Sequence, residues 1–335
     1  CRLLMYEVPL FFKICKIQSL SWQKNIQDEI STIAINHTTG TTGNPKGVMI
    51  EHKNLINFVY SFCNQFKNKF STADNCLSLT SISFDVCVCE IFTPILFGSS
   101  LILFPENTFS NIPLLCDILE KEKITFLYLP PNLLLNIYNF IKSNNIKTYI
   151  DKLLVGVEPI KNYILNNFYD LNPNIEIING YGPTEATICS TFFKFKKAKD
   201  INAIVPIGKT IDNNKILILD KSSKLMPIGQ FGELHISGDN VGRGYLNDSF
   251  LTEKQFIKLP NSSTEFYKTG DIVAWNKDGT LQFKGRNDSQ IKFNGNRIEL
   301  NEINTKIKEF DGIINAITLI QKVNNRDYLC SYYIS

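Results

Sequence analysis

Apolar and polar positions along the chain follow two alternating rhythms. Short runs such as "STIAI" (31–35), "LSLTSISF" (77–84), "SLILF" (100–104), "TFLYL" (125–129), "KLLVG" (152–156) and "IEIIN" (175–179) predict β-strands. Between them the spacing changes. Leu55, Val59, Phe62 and Phe66 recur at helical intervals, "DVCVCEIFTPILFG" predicts a buried helix, and further helices are expected over 111–122 and after Pro130-Pro131. Strand and helix alternating in this way predict a parallel or mixed sheet with covering helices.

The pattern changes after about residue 205. "KILILD", "FGELHISG", "IVAW" and "TLQFKG" are short strands separated by Gly, Pro and Asp-Gly, and "NKDG" between the last two is a hairpin signal. A mostly antiparallel β part is expected here. From about 286 the chain turns polar and then mixed α/β, so a smaller domain is expected to begin near "GRND" (285–288).

Composition narrows the class. The 335 residues are 44% hydrophobic and 20% charged with a net charge of +3, ordinary values for a globular protein of about two domains. Nothing in that balance asks for a nucleic-acid partner, and "KFKKAK" (194–199) is short enough to be a solvated loop. No uncharged apolar run reaches roughly 18 residues, so no membrane span is expected. Nine cysteines without a CxxC pair or regular spacing, beside only three histidines, predict reduced thiols in a cytoplasmic protein rather than a disulfide framework or a zinc site. "CRLLMYEVPLFFKICK" at the start is broken by charges and lacks a cleavage site, so it reads as the ragged start of a fragment and not as a signal peptide. No repeat or low-complexity tract is present beyond a general excess of Asn, Lys and Ile.

The strongest chemical signal is "HTTGTTGNPKG" (37–47). Glycines let backbone N–H groups approach an anion, threonine hydroxyls add donors, and Lys46 adds charge, which together suit a triphosphate. It is not a Walker A loop, because Gly47 follows Lys46 where Ser or Thr is required. A flexible Thr/Gly turn is the plainer reading, and the loop alone leaves both open.

Other segments extend the signal. "TTGTTGNPKG" resembles the phosphate loop of the adenylate-forming superfamily, S/T-S/T-G-S/T-S/T-G-x-P-K-G. "SFDVCVCEIF" resembles FDxSxxEIF, "VGVEPI" GGExL, "NGYGPTEATI" NxYGPTE, "VPIGKTIDN" PIGxPxxN, and "GELHISGDNVGRGYLND" GELxIxGxxxARGYxN. "YKTGD" resembles YRTGD, "GRNDSQIKFNGNRIELNEI" resembles GRxDxQVKxxGxRIExxEI, and the closing "YLCSYYIS" is similar to YLxAYYV. These segments follow the order found in the adenylation domains of nonribosomal peptide synthetases, and the chain is similar to that branch from about residue 31 to its end.

The resemblance implies an α/β adenylate-forming fold. A poorly matching segment (1–30) would precede a large α/β subdomain with a β-rich part (31–285) and the beginning of a mobile C-terminal α+β domain (286–335). It also implies a ligase that joins an amino-acid carboxylate to the α-phosphate of ATP, with Mg²⁺, and passes the acyl group to a phosphopantetheine thiol. The implied partners are a carrier (thiolation) domain and a condensation domain in the same polypeptide.

Carried over position by position, Thr38, Thr39, Gly40, Thr41, Thr42, Gly43 and Lys46 would hold the β and γ phosphates. Tyr181 would stack on adenine with Asn179 near its amino edge, beside Gly180 and Gly182. Thr184 would donate to the α-phosphate, Glu185 would hold Mg²⁺, Asp271 would accept from the ribose hydroxyls, and Arg286 would reach ribose or phosphate. Asp288 would be the hinge of the small domain, with Lys292 and Gly295 in the segment that swings in. Plainer readings stand beside these: a core tyrosine for Tyr181, a helix-start acid for Glu185, a turn cap for Asp271, a surface ion pair for Arg286 and an interdomain turn for Asp288.

Asp85 would bind the substrate ammonium, a role that amino-acid-activating members supply at this position; it could also cap the following helix. The pocket would be lined by Asp85, Val86, Cys89, Tyr128, Leu154, Gly156, Gly180, Ile188 and Cys189. None but Asp85 is charged, so a neutral, hydrophobic or aromatic substrate is expected, because a buried charged side chain would lack a partner. The two glycines would leave room for bulk. Departures from the pattern include Thr39 for serine, Val157 for glycine, Gly242 for alanine and Lys268 for an arginine with its planar fork. The chain stops before the lysine in a P-x-x-x-x-G-K context that the family has near its end, a contact whose loss typically costs about 10²–10³ in rate. A fragment of a longer synthetase, or a decayed remnant, nearly inactive in isolation, is therefore expected. An acyl- or aryl-acid ligase of the same superfamily, and a degenerate domain that binds nucleotide without turnover, are the alternatives.

Overall fold

The apolar runs of the first two hundred residues become strands of one large sheet. The computed structural model describes residues 2–5, 32–38, 46–103, 111–156, 158–260, 262–287, 290–293, 296–323 and 326–335. In the large sheet β1 (Arg2–Met5), β5 (Ser100–Leu103), β4 (Asn75–Ser78), β6 (Phe126–Leu129), β7 (Lys152–Gly156) and β8 (Glu176–Tyr181) run parallel in that spatial order. Antiparallel β9 (Thr191–Phe195) and β10 (Lys209–Thr210) extend it. Every residue of β6 and β7 is buried, as expected of a parallel sheet covered on both faces.

Side-chain alternation along these strands divides the core in two. Leu127, Leu129, Leu153, Val155 and Ile177 pack on one face with α3 (Ile112–Lys121), α4 (Pro131–Ser143) and α5 (Asn162–Leu171). Phe126, Tyr128, Leu154 and Ile178 face α1 (His52–Cys63) and α2 (Val86–Phe97). Local chemistry sets the helix ends. Asn111 Oδ1 accepts from the Leu114 N–H, 3.1 Å, before α3, α4 starts on Pro131, where the missing N–H costs nothing, and Gly98 ends α2 in the left-handed region at φ +71°.

One strand is shorter than expected. The run 77–84 leaves the sheet at Ser78, because the N–H groups of Leu79 and Thr80 donate to the buried Glu90 carboxylate, 3.2 and 2.9 Å, instead of to a neighbouring strand.

The later part is antiparallel as expected. β11 (Asn214–Leu219), β12 (Gly232–Gly238), β15 (Glu265–Trp275) and β14 (Phe256–Lys258) are ordered in one sheet, and β16 (Leu281–Arg286) pairs with β15. The Asp-Gly turn between β15 and β16 closes with Asn276 N–H to Thr280 O, 2.8 Å. A third sheet joins β2 (Thr32–Thr38), β3 (Lys46–Glu51) and β13 (Gly244–Tyr245), and α6 (Ser249–Gln255) follows. The C-terminal stretch holds the pair β17 (Gln290–Phe293) and β18 (Asn296–Glu299), α7 (Leu300–Lys308), and the pair β19 (Asn315–Val323) and β20 (Arg326–Ile334). Among the described residues no helix is long and apolar enough to cross a membrane.

Candidate active site

The sheet brings the candidate substrate residues together from four segments. Val86 and Cys89 on α2, Tyr128 on β6, Leu154 on β7, and Ile188 and Cys189 after β8 lie buried in a single apolar cluster on the α1/α2 face. Asp85 stands at the start of α2 and makes no side-chain cap to it. Its Oδ2 instead accepts a hydrogen bond from Thr184 Oγ1 at 2.5 Å. The residue expected to hold an ammonium and the hydroxyl expected to face a phosphate are thus joined across 99 positions of sequence. Burial pushes the Tyr128 hydroxyl well above its ordinary pKa, helped by Glu90, Cys189, Asp85 and Glu158. Burial also pushes the Cys89 thiol up, so this wall stays protonated and unreactive.

Gly156 and Gly180 do not open space as their small size suggested. They are register partners in β7 and β8. A Cβ on Gly156, at φ +149°, would lie 2.1 Å from the Gly180 carbonyl oxygen, and one on Gly180 would lie 2.6 Å from Cys189 Sγ. Protein atoms fill what the sequence reads as room, so the glycines serve close approach of backbone.

A second group forms around Asp271 on β15. Its Oδ1 accepts from Arg286 on β16, 2.7 Å, and its Oδ2 accepts from the Tyr181 hydroxyl. Cross-strand register puts Arg286 directly opposite Asp271. A carboxylate has about four lone-pair positions, which leaves capacity for two hydroxyls of a ligand. Burial, and then Asp271, hold the Tyr181 hydroxyl far above the usual phenol range. Asn179 is buried and its Nδ2 donates to the Pro206 carbonyl, 2.9 Å, so any role toward an adenine amino group falls to Oδ1.

Glu185 lies in a single 3-10 turn (Thr184–Ala186), with 1% of its surface exposed. The Tyr245 hydroxyl donates to its Oε1 at 2.7 Å. The Lys46 ammonium sits 5.7 Å from the centroid of the same tyrosine ring. Tyr245 therefore links the two charged side chains expected at the phosphate end. Among the described residues no group of three or more His, Cys, Asp or Glu could hold a metal ion. A single oriented carboxylate fits a hard cation such as Mg²⁺, which takes one or two carboxylates and completes its shell with water and phosphate.

Comparison with known proteins decides the family. Residues 13–246 match the model of one family, AMP-binding enzyme. The chain belongs to that family.

Among relatives of this AMP-binding enzyme, gramicidin S synthase 2 of Brevibacillus brevis is 38% identical over 307 residues, covering 89% of this chain and 7% of that protein. Tyrocidine synthase 2 of Brevibacillus parabrevis is 33% identical over 301 residues, covering 89% and 8%. The chain therefore spans less than a tenth of these relatives. Among solved structures, PA1221, an NRPS protein containing adenylation and PCP domains, is 25% identical with a TM-score of 0.78, covering 94% of this chain and 63% of that one. The Vibrio cholerae adenylation domain AlmE, in complex with glycyl-adenosine-5'-phosphate, shares the fold at 24% identity and a TM-score of 0.79, covering 91% and 58%. The adenylate-forming α/β fold expected from the sequence is the fold of these neighbours.

The remaining expected site residues are placed by strand register alone or lie outside the described residues. Thr38 and Lys46 are cross-strand partners at the ends of β2 and β3. Thr39, Gly40, Thr41, Thr42 and Gly43 lie outside the described residues, as do Asp288 and Gly295. Lys292 is on β17 opposite Arg297. Two residues beside these clusters carried no expectation: Glu90, which ends β4 ahead of Asp85, and Tyr245. Tyr245 stands inside "GELHISGDNVGRGYLND", but its bond to Glu185 spans 60 positions, and nothing local announces it.

Proposed function

We propose that this AMP-binding enzyme segment activates a neutral amino acid as its aminoacyl-adenylate, for delivery to a carrier thiol in nonribosomal peptide synthesis. The observation that carries the reading is the Thr184–Asp85 hydrogen bond. In an α-amino acid the amine and carboxylate are two bonds apart. A site holding the amine at Asp85 therefore sets the carboxylate beside Thr184, where the α-phosphate belongs. The carboxylate oxygen attacks the α-phosphorus, the bond to the β-phosphate oxygen breaks, and pyrophosphate leaves. Proximity and charge neutralisation supply most of the acceleration for such a transfer. Once the substrate ammonium takes the Asp85 carboxylate, the Thr184 hydroxyl turns its single proton to the phosphate oxygens; Lys46 offsets their charge, and Asp271 fixes the ribose with Tyr181 and Arg286 behind it. Glu185 would hold Mg²⁺, which when bound would neutralise phosphate charge.

The apolar cluster around Ile188 and Cys189 supports a neutral side chain. A carrier partner is supported by solved neighbours that hold adenylation and PCP domains together. The family resemblance supports a condensation domain in the same polypeptide, and the free buried thiols support a reducing, cytoplasmic setting.

The test is binding of non-hydrolysable acyl-sulfamoyl-adenosines to the 335-residue chain, read by calorimetry. Neutral aminoacyl analogues are expected to bind more tightly than AMP, with Lys, Arg, Asp and Glu analogues weaker. Preference for a fatty-acyl or aryl analogue without an amine would overturn the amino-acid reading.

A further inference from the structure

The asparagine excess has one concentrated use. Asn240 is fully buried between β12 and β13, and both ends of its amide are engaged. Its Nδ2 donates to the carbonyls of Cys189, 3.1 Å, and Thr187, 3.4 Å, while its Oδ1 accepts from Asn57 Nδ2 on α1, 2.6 Å. Its backbone is held as well. The carbonyl accepts from Thr187 Oγ1, 2.6 Å, and the N–H donates to Asn214 Oδ1, 3.1 Å. Asn57 is braced in turn by Asn213, 2.8 Å. Asn54 on the same helix donates to the carbonyls of Asp239 and Val241, either side of Asn240.

What this network holds is a costly backbone. Thr187 and Ile188 have φ of +53° and +66°, two consecutive β-branched residues in the left-handed region. Such residues persist only where their surroundings over-determine them, and they gather at functional sites. The turn is pressed onto Gly182, where a Cβ would lie 2.6 Å from Cys189 Cα. Its product is the placement of Ile188 and Cys189 in the cluster with Val86, Cys89, Tyr128 and Leu154.

We propose that Asn240 is a positioning residue for substrate selection, holding, with Asn57, the left-handed Thr187–Ile188 turn so that Ile188 and Cys189 form one wall of the amino-acid site. It rests on the reading of this cluster as that site. Asn240 touches no reacting atom. It acts through the wall, and its position is left open in the GELxIxGxxxARGYxN pattern, so it can vary independently of the nucleotide machinery.

The experiment measures binding of AMP and of aminoacyl-sulfamoyl-adenosines with small and large neutral side chains. It uses the wild-type chain, Asn240→Ala, Asn240→Asp and Asn57→Ala. Asp keeps the shape of Asn240 but loses the donor to both carbonyls. Asn240→Ala and Asn240→Asp are expected to change the large-to-small affinity ratio by about tenfold, while AMP affinity stays within about twofold. Asn57→Ala should shift the ratio the same way by less, and serves where Asn240→Ala fails to fold. Crystals of the Asp variant should show Thr187 and Ile188 at negative φ. Ratios unchanged in all folded variants, or AMP binding lost in parallel, would overturn the proposal alone. A wild-type chain that binds none of the aminoacyl compounds would overturn the amino-acid reading, and this inference with it.

Discussion

Glu90 offers a test in which the structure fixes both sign and size. Its carboxylate has no exposed surface and accepts from Ser78 Oγ and the Leu79 N–H, both 3.2 Å, from the Thr80 N–H, 2.9 Å, and from Thr80 Oγ1, 3.0 Å. These bonds end β4 and start the loop that leads to Asp85. Burial pushes the carboxyl up from an ordinary 4.5 to about 7, the four donors pulling the other way. Between those two values the native state keeps a proton that the unfolded chain has released. The contribution is therefore fully present below about pH 4.5 and is lost as pH rises through about 7, on the order of 3 kcal/mol in all at about 1.4 kcal/mol per pH unit. Glu90→Gln does not titrate, so the stability difference between wild type and variant isolates this group. Urea midpoints from pH 5 to pH 8 should show the wild type losing about 2–3 kcal/mol relative to the variant. A flat difference, or one that grows in favour of the wild type with pH, would refute the assignment.

Two further substitutions probe the scaffold. Gly156→Ala would force a Cβ to 2.1 Å from the Gly180 oxygen at a left-handed φ; a loss of at least about 3 kcal/mol in urea unfolding is expected, and near-wild-type stability would show that β7 and β8 can part at this point. Lys152 has 2% of its side chain exposed, with Nζ 2.7 Å from Asp74 and 3.1 Å from Asp151. Lys152→Met leaves Asp74 buried without its partner and should cost about 3–5 kcal/mol, most of it recovered by adding Asp74→Asn; a double variant no better than the single would contradict the pairing.

How much of this was legible depends on the range of the interaction. "KLLVG" reads as a buried strand because every residue but the first is apolar or small, and β7 covers those five residues. The run 77–84 reads as one strand because its end is set by Glu90, ten to twelve positions later, whose pull on Leu79 and Thr80 leaves no local mark. Gly156 and Gly180 read as room because a sequence shows the missing side chain but not the backbone that takes its place. Asp85 and Thr184 were each visible in a motif, but their mutual bond was not. Asn240 has no periodicity or spacing to announce it, since its partners are carbonyls on a turn about fifty residues away.

The central claim is that Asp85 and Thr184 together hold an amino acid against a nucleotide. A crystal structure of the chain with a neutral aminoacyl-sulfamoyl-adenosine tests it most directly. The ammonium is predicted about 3 Å from the Asp85 carboxylate, with the sulfamate beside Thr184 and the ribose hydroxyls on Asp271. An amine turned away from Asp85, or a ligand seated elsewhere on the protein, would contradict the account.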